Sequence, residues 1–221
     1  MPNFRPMLLS AMLAVLTACT SAVAGNEIDP IALCDRLAAG PDDPRRQADP
    51  VEIERMDAAA AVAACEAAVE RDPENARLHY QHGRALLAAG RETEARKAWR
   101  RAILFDYEAA YFDLAQLYLT TEGYLRSERR YEIIHFLTQA AMGGHGGAAA
   151  ALGRLYEGEE YLISPIDAKE AVPWYALAVI LGNGSAARRL AEMYTDGVGV
   201  EANAKLAAEL FAKAKALDRA D

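Results

Sequence analysis

Leu190-Ala191-Glu192-Met193-Tyr194-Thr195-Asp196-Gly197-Val198-Gly199-Val200 carries the pattern on which the reading of this chain turns. Ala191 is small, Tyr194 three residues later is bulky, and a glycine-rich turn follows. Gly83 with Leu86, Ala115 with Tyr118 and Gly153 with Tyr156 repeat that pairing upstream, and the four small residues stand 32, 38 and 38 positions apart. A second register runs through Trp99, Leu137, Tyr175 and Phe211, spaced by 38, 38 and 36, with Ala102, Ala140, Ala178 and Ala214 three residues beyond each. Two independent anchors of matching period mark one supersecondary unit used several times.

Packing explains the pattern. Small residues let two antiparallel helices approach closely, and bulky ones fill the flanking gaps. One hairpin cannot bury its apolar face alone, whereas stacked neighbours can. The pattern predicts helices at 76–89 and 92–105, 108–121 and 126–142, 145–157 and 167–181, and 185–196 and 203–218. Gly90, Gly123, Gly143, Gly158, Gly182 and Gly197 punctuate them. Pro173 falls inside one, so that helix either begins late or bends there. The last helix sets Leu206, Leu210, Phe211, Ala214 and Leu217 on one face and Lys205, Glu209 and Lys213 on the other, as a terminal repeat requires. Of the 221 residues 52% are apolar, alanine foremost, and 8% aromatic. Alanine favours helices and is depleted in strands, so an all-β chain is excluded, and the apolar share excludes a disordered one. The expected class is all-α, a solenoid of antiparallel helix pairs.

Residues 76–107 resemble one tetratricopeptide repeat: Gly83, Ala95, Trp99 and Ala102 match its small and bulky positions, with Asp72-Pro73 before it. From about 108 onward the chain resembles the Sel-one-like repeats, a longer-looped relative of the same helix pair. The last unit matches best. Gly197-Val198-Gly199-Val200 stands at the family's G-x-G-V turn, followed by Asn203, Ala207 and Phe211. The preceding unit offers Leu152-Gly153-Arg154-Leu155-Tyr156, then Asp167, Ala171, Trp174-Tyr175 and Ala178. Its Gly158-Glu159-Glu160-Tyr161 departs from the turn pattern, in a longer connection. The unit at 108–144 keeps Leu114, Ala115, Tyr118 and Ala140 and is the most degenerate. The resemblance implies a right-handed α-α superhelix and says almost nothing about a ligand.

The expected organisation is a signal peptide at 1–24, an N-terminal helical cap at 25–70, a tetratricopeptide-like repeat at 71–107, and Sel-one-like repeats with a capping helix at 108–221. Arg5 precedes an apolar run, Met7 to Ala18, too short to span about 30 Å of hydrocarbon. Ala22-Val23-Ala24 before Gly25 is a small-x-small cleavage pattern. Leu16-Thr17-Ala18-Cys19 also resembles the lipobox of bacterial lipoproteins, whose cysteine is diacylated, and Thr20 then resembles the outer-membrane-sorted class. Both readings export the protein, to the periplasm or to the outer membrane as a lipoprotein. Export leaves Cys34 and Cys65, an even pair in an oxidising compartment, and a disulfide between them is expected, with two buried free thiols as the alternative.

A formal charge of −8, from 24 basic and 32 acidic residues, argues against nucleic acid as a partner. Membrane contact is expected only if Cys19 is lipidated. His79 and His82 stand at i,i+3 without a third ligand at sensible spacing. Gly144-His145-Gly146-Gly147 has no strand before it and no lysine after it, which argues against a nucleotide loop. Glu157, Glu159, Glu160 and Asp167 lack EF-hand spacing. No serine sits in a nucleophile elbow, and no cysteine–histidine pair is placed for acyl transfer. No catalytic residue, metal or cofactor is assigned, and the chain is not expected to be an enzyme. A cell-envelope hydrolase or a lipid-anchored subunit of an outer-membrane complex stands as the alternative.

A binding surface remains. In tetratricopeptide-like stacks the first helix of each pair lines the concave face. The resemblance implies that Arg77, Tyr80, Arg84 and Leu87, then Phe112, Gln116 and Leu119, then Arg154, and finally Arg188 and Glu192 point into it. Guanidinium forks bind carboxylates, and Tyr80 and Phe112 can hold a side chain beside them. The expected function is an exported scaffold or adaptor that takes a protein or peptide partner, acidic or C-terminal, in that groove.

Overall fold

The structure, a computed structural model, describes residues 28–120, 129–158 and 167–219. The leader readings at 1–24, Cys19, Gly123, Glu159 and Glu160 lie outside the described residues.

Ten α-helices and one 3₁₀ turn, Ile53–Arg55, make up the described chain, which contains no strand. They are α1 Pro30–Ala38, α2 Ala58–Arg71, α3 Ala76–Ala88, α4 Glu92–Ile103, α5 Glu108–Thr120, α6 Arg130–Met142, α7 Gly146–Tyr156, α8 Ala168–Ile180, α9 Gly184–Asp196 and α10 Ala204–Leu217. Each of the eight helices predicted from residue 76 onward is present. Their starts follow from side-chain caps. Asp29, Asp57, Asp167, Asn183 and Asn203 each accept a backbone N–H of the first turn, satisfying donors that the helix itself cannot. Gly197 ends α9 at φ 72°, a left-handed conformation that glycine takes without steric cost.

Helices pack on their sequence neighbours: α1 on α2, α3 on α4, α5 on α6, α7 on α8 and α9 on α10, with each hairpin resting on the next. The two sequence registers meet inside these hairpins. A Cβ added at Gly83 would lie 2.4 Å from the Trp99 ring, and one at Gly153 would lie 2.6 Å from Tyr175. Each glycine admits an aromatic residue from the second helix of its own pair. Trp99 is fully buried and its indole N–H donates to the Tyr80 carbonyl at 3.1 Å, so the ring closes the hairpin without leaving a polar atom unpaired.

Two expectations are refined. Helix α8 does not begin late: Asp167 caps it, Ala168 opens it, and Pro173 stands inside. The ring is on the exposed side, and the carbonyl that loses its amide partner belongs to exposed Lys169, where water can satisfy it. Phe211 is not held in the core with Leu210 and Ala214; it is 42% exposed. Helix α10 packs chiefly on α9, so a side chain at the edge of that contact has nothing on its other flank.

At the opposite end α1 lies on both α2 and α3, fastened by a disulfide between Cys34 and Cys65 with Cα atoms 4.8 Å apart. Closing a loop of this length stabilises by about 3–4 kcal/mol in the chain-entropy model.

Candidate functional site

The wall formed by α3, α5, α7 and α9 is divided between a section filled by the chain itself and a section that is open. Arg77, Tyr80 and Arg84 of α3 belong to the filled section. Arg77 pairs with Asp35 of α1. Arg84 is 2% exposed and donates to the carbonyls of Ala38 at 3.0 Å, Ala39 at 2.5 Å and Val51 at 2.7 Å. Tyr80 and Asp113 of α5 line one small cavity with Pro41 of the segment after α1. Gly40 passes so close above Tyr80 that a Cβ there would lie 2.4 Å from the hydroxyl. The expectation of a face with four open arginines is therefore corrected: Arg77 holds α1 itself, and Arg84 holds the segment that follows it. The cause is desolvation. A buried guanidinium needs partners for its donors, and carbonyls of the N-terminal segment supply them.

That segment, residues 39–51, crosses from α3 to the start of α5. Val51 N–H donates to the Ala39 carbonyl at 2.9 Å, closing the segment into a loop. At its tip the Asp43 carboxylate accepts from the Tyr107 hydroxyl at 2.8 Å, and the Arg45 guanidinium lies 3.9 Å from the centre of the Tyr107 ring. Arg45 also pairs with Glu108 at 2.7 Å and donates to the Asp106 carbonyl at 3.1 Å. Burial raises the pKa of Asp43, against the pull of the Tyr107 hydroxyl and the nearby cations. Asp113 is pushed up to about 6 by burial, with Arg84 and the Tyr80 hydroxyl pulling the other way.

Beyond the loop tip the wall opens. Phe112 and Gln116 of α5, Ala150 and Arg154 of α7, and Ser185 and Arg189 of α9 line a cavity of about 350 Å³. Phe112 stacks on His145, with centroids 3.9 Å apart. His145 caps α7 by accepting the Ala148 N–H at Nδ1, so its neutral ring carries the proton on Nε2, and burial lowers its pKa. Gly147, Asn183 and Ser185 also line a second cavity of about 440 Å³, whose far wall is Pro41, Asp42 and Arg46 of the loop. The two cavities adjoin at these residues, and the loop borders the second.

Phe112, Gln116 and Arg154 thus come together. Arg188 does not join them: it pairs with Asp218, just after α10, at 2.5 Å. Arg189 lines the groove in its place, one residue and about 100° further around the helix. Glu192 supports Arg189 at 2.9 Å, while Glu157 takes the same guanidinium through several bonds and accepts from the Tyr175 hydroxyl at 2.6 Å. Tyr107, Asp43, Arg45 and His145 were not legible as site residues, because all four lie outside the repeat helices and none occupies a periodic first-helix position. His79 donates from Nε2 to the Pro73 carbonyl at 2.7 Å, a structural bond at the start of α3.

No family model matches the sequence, and no curated protein matches it. Solved structures do match in fold. A Sel1 repeat protein from Oxalobacter formigenes is 21% identical with a TM-score of 0.61, over 71% of this chain and 65% of that one. The protective antigen c5321 of uropathogenic Escherichia coli, which displays an SLR fold, is 24% identical with a TM-score of 0.57, over 70% of this chain and 33% of that one. This is a Sel1-like repeat fold. MamA, 17% identical with a TM-score of 0.50, matches over 74% of this chain and 90% of its own. The chain spans a third of the antigen and about two thirds of the Oxalobacter protein. As a Sel1-like solenoid, a right-handed superhelix of helix pairs, it presents its first helices side by side along one wall, and the groove is built on that wall. The groove offers an aromatic stack, an amide and guanidinium groups along three successive repeats.

Proposed function

We propose that this protein is an exported interaction scaffold that takes an extended segment of a protein partner in the groove formed by α5, α7 and α9. The observation that carries the reading is the alignment of Phe112, Gln116, Arg154 and Arg189, from three successive first helices, along one cavity. An apolar side chain of the partner would rest on Phe112, and a carboxylate would meet the guanidinium of Arg154. Export is supported by the Cys34–Cys65 disulfide, a bond that persists in oxidising compartments, together with the leader pattern at 1–24. The location proposed is the periplasm, or the outer membrane if Cys19 is acylated. Affinity capture from envelope extracts, with the wild type and a Gln116→Glu, Arg154→Glu variant side by side, tests the groove. Partners recovered by the wild type are expected to be lost with the variant while its circular dichroism is unchanged, and equal recovery would remove the reading.

A further inference from the structure

The loop at residues 39–51 is built like a ligand rather than like a piece of core. Its neck is fixed, by the Val51–Ala39 hydrogen bond and by Arg84, whose guanidinium reaches carbonyls on both sides of it. Its tip is not. Asp42, Pro44, Arg45, Arg46 and Gln47 are exposed, and the backbone bonds of Asp43 and Arg46 close within the loop. The tip reaches α5 and the turn before it through the side chains of Asp43 and Arg45, one on the Tyr107 hydroxyl and the other on Glu108 and the Asp106 carbonyl. Compact loops whose ends meet are frequently functional units that move as one body, and Pro41 and Pro44 stiffen this one.

We propose that the loop tip is an internal ligand of the wall: it occupies a docking spot made by Tyr107 and Glu108 at the end of the open groove, and a partner segment carrying a carboxylate two residues ahead of an arginine takes that spot when the loop swings out on its neck. The proposal rests on the reading of this wall as a peptide-binding surface. The chemistry of the partner is read from the occupant. Tyr107 supplies one donor for a carboxylate, and its ring and Glu108 hold a guanidinium two residues later. A tethered occupant competes at high effective concentration, so the spot is closed to a free peptide until the tip loses its anchors.

The test uses the full chain and a fluorescent peptide of residues 41–47, followed by anisotropy. The wild type is expected to bind it weakly, and an Asp43→Ala, Arg45→Ala variant at least about tenfold more tightly, because its own tip no longer competes. Adding Tyr107→Phe and Glu108→Gln to that variant is expected to abolish the gain. A folded variant with no gain, or a gain that survives loss of Tyr107 and Glu108, overturns the proposal. Hydrogen exchange on the wild type gives an independent reading should the variant fold poorly. The amides of Asp43, Arg45 and Arg46 are expected to exchange together and faster than that of Val51 at the neck, and exchange of the tip only through global unfolding contradicts the hinge. Partner capture through Gln116 and Arg154 reads the open section alone, so failure there and failure here are distinguishable.

Discussion

Gly83 lies against the indole of Trp99 so closely that the position has no room for a methyl group. The contact joins the two periodic registers of the sequence inside one hairpin. Gly83→Ala is therefore expected to destabilise by about 1–3 kcal/mol, the usual cost of overpacking against a rigid ring. Gly153→Ala, against Tyr175, should behave alike. Urea denaturation followed by tryptophan fluorescence checks both, and unchanged midpoints would mean that the hairpins are not packed through these glycines.

Reducing Cys34–Cys65, or replacing both cysteines by serine, is expected to cost about 3–4 kcal/mol of unfolding free energy. The loss should appear at the N-terminal end, because the bond ties α1 to α2 while Asp35 of α1 holds Arg77. Comparing denaturation of oxidised and reduced protein measures the energy. Exchange mass spectrometry on residues 30–51 locates it.

Asp113 yields a prediction in pH. Its folded pKa of about 6 stands above the ordinary 3.8, so between these values the folded state holds a proton that the unfolded chain has released. Its contribution to stability therefore rises as pH falls through 6 towards 3.8, and is lost as pH rises through 6. The difference between wild type and Asp113→Asn in denaturation midpoint should change across that window, to the wild type's advantage at the acid end. A difference that does not vary with pH would contradict the raised pKa.

Glu157 runs the other way. Burial pushes its pKa up, but the Arg189 fork and the Tyr175 hydroxyl outweigh that and leave it lowered. Its stabilisation is present above the ordinary carboxylate range and is lost as pH falls through the lowered folded value. Arg189→Ala leaves a nearly buried carboxylate with Tyr175 alone and is expected to cost about 1–3 kcal/mol. Thermal melts at neutral pH check the loss, and melts at acid pH should show it shrinking.

Periodicity made the solenoid legible because each repeat solves the same packing problem with the same residue sizes. Trp99, Leu137 and Tyr175 are buried where the register places them, and Phe211 escapes it where α10 has little beyond α9 to pack on. Phe112, Gln116 and Arg154 could be placed by helix position alone. Arg188 was misplaced for its neighbour Arg189 because one residue turns a helical side chain by about 100°. The loop was invisible for a different reason. Gly40-Pro41-Asp42-Asp43-Pro44 has no period, and its partners Arg84 and Tyr107 lie about 45 and 64 residues away in the chain. No local pattern encodes such a contact.

Leu104, Met142 and Ile180 offer the rival surface. They stand one repeat apart, 69%, 74% and 75% exposed, at the ends of the second helices. Site-specific photo-crosslinkers at Gln116 and Arg154, against Met142 and Ile180, put the two surfaces in direct competition within the native envelope. The groove account predicts partner adducts from Gln116 and Arg154 and none from the other pair. Adducts from Met142 and Ile180 with an empty groove would contradict it.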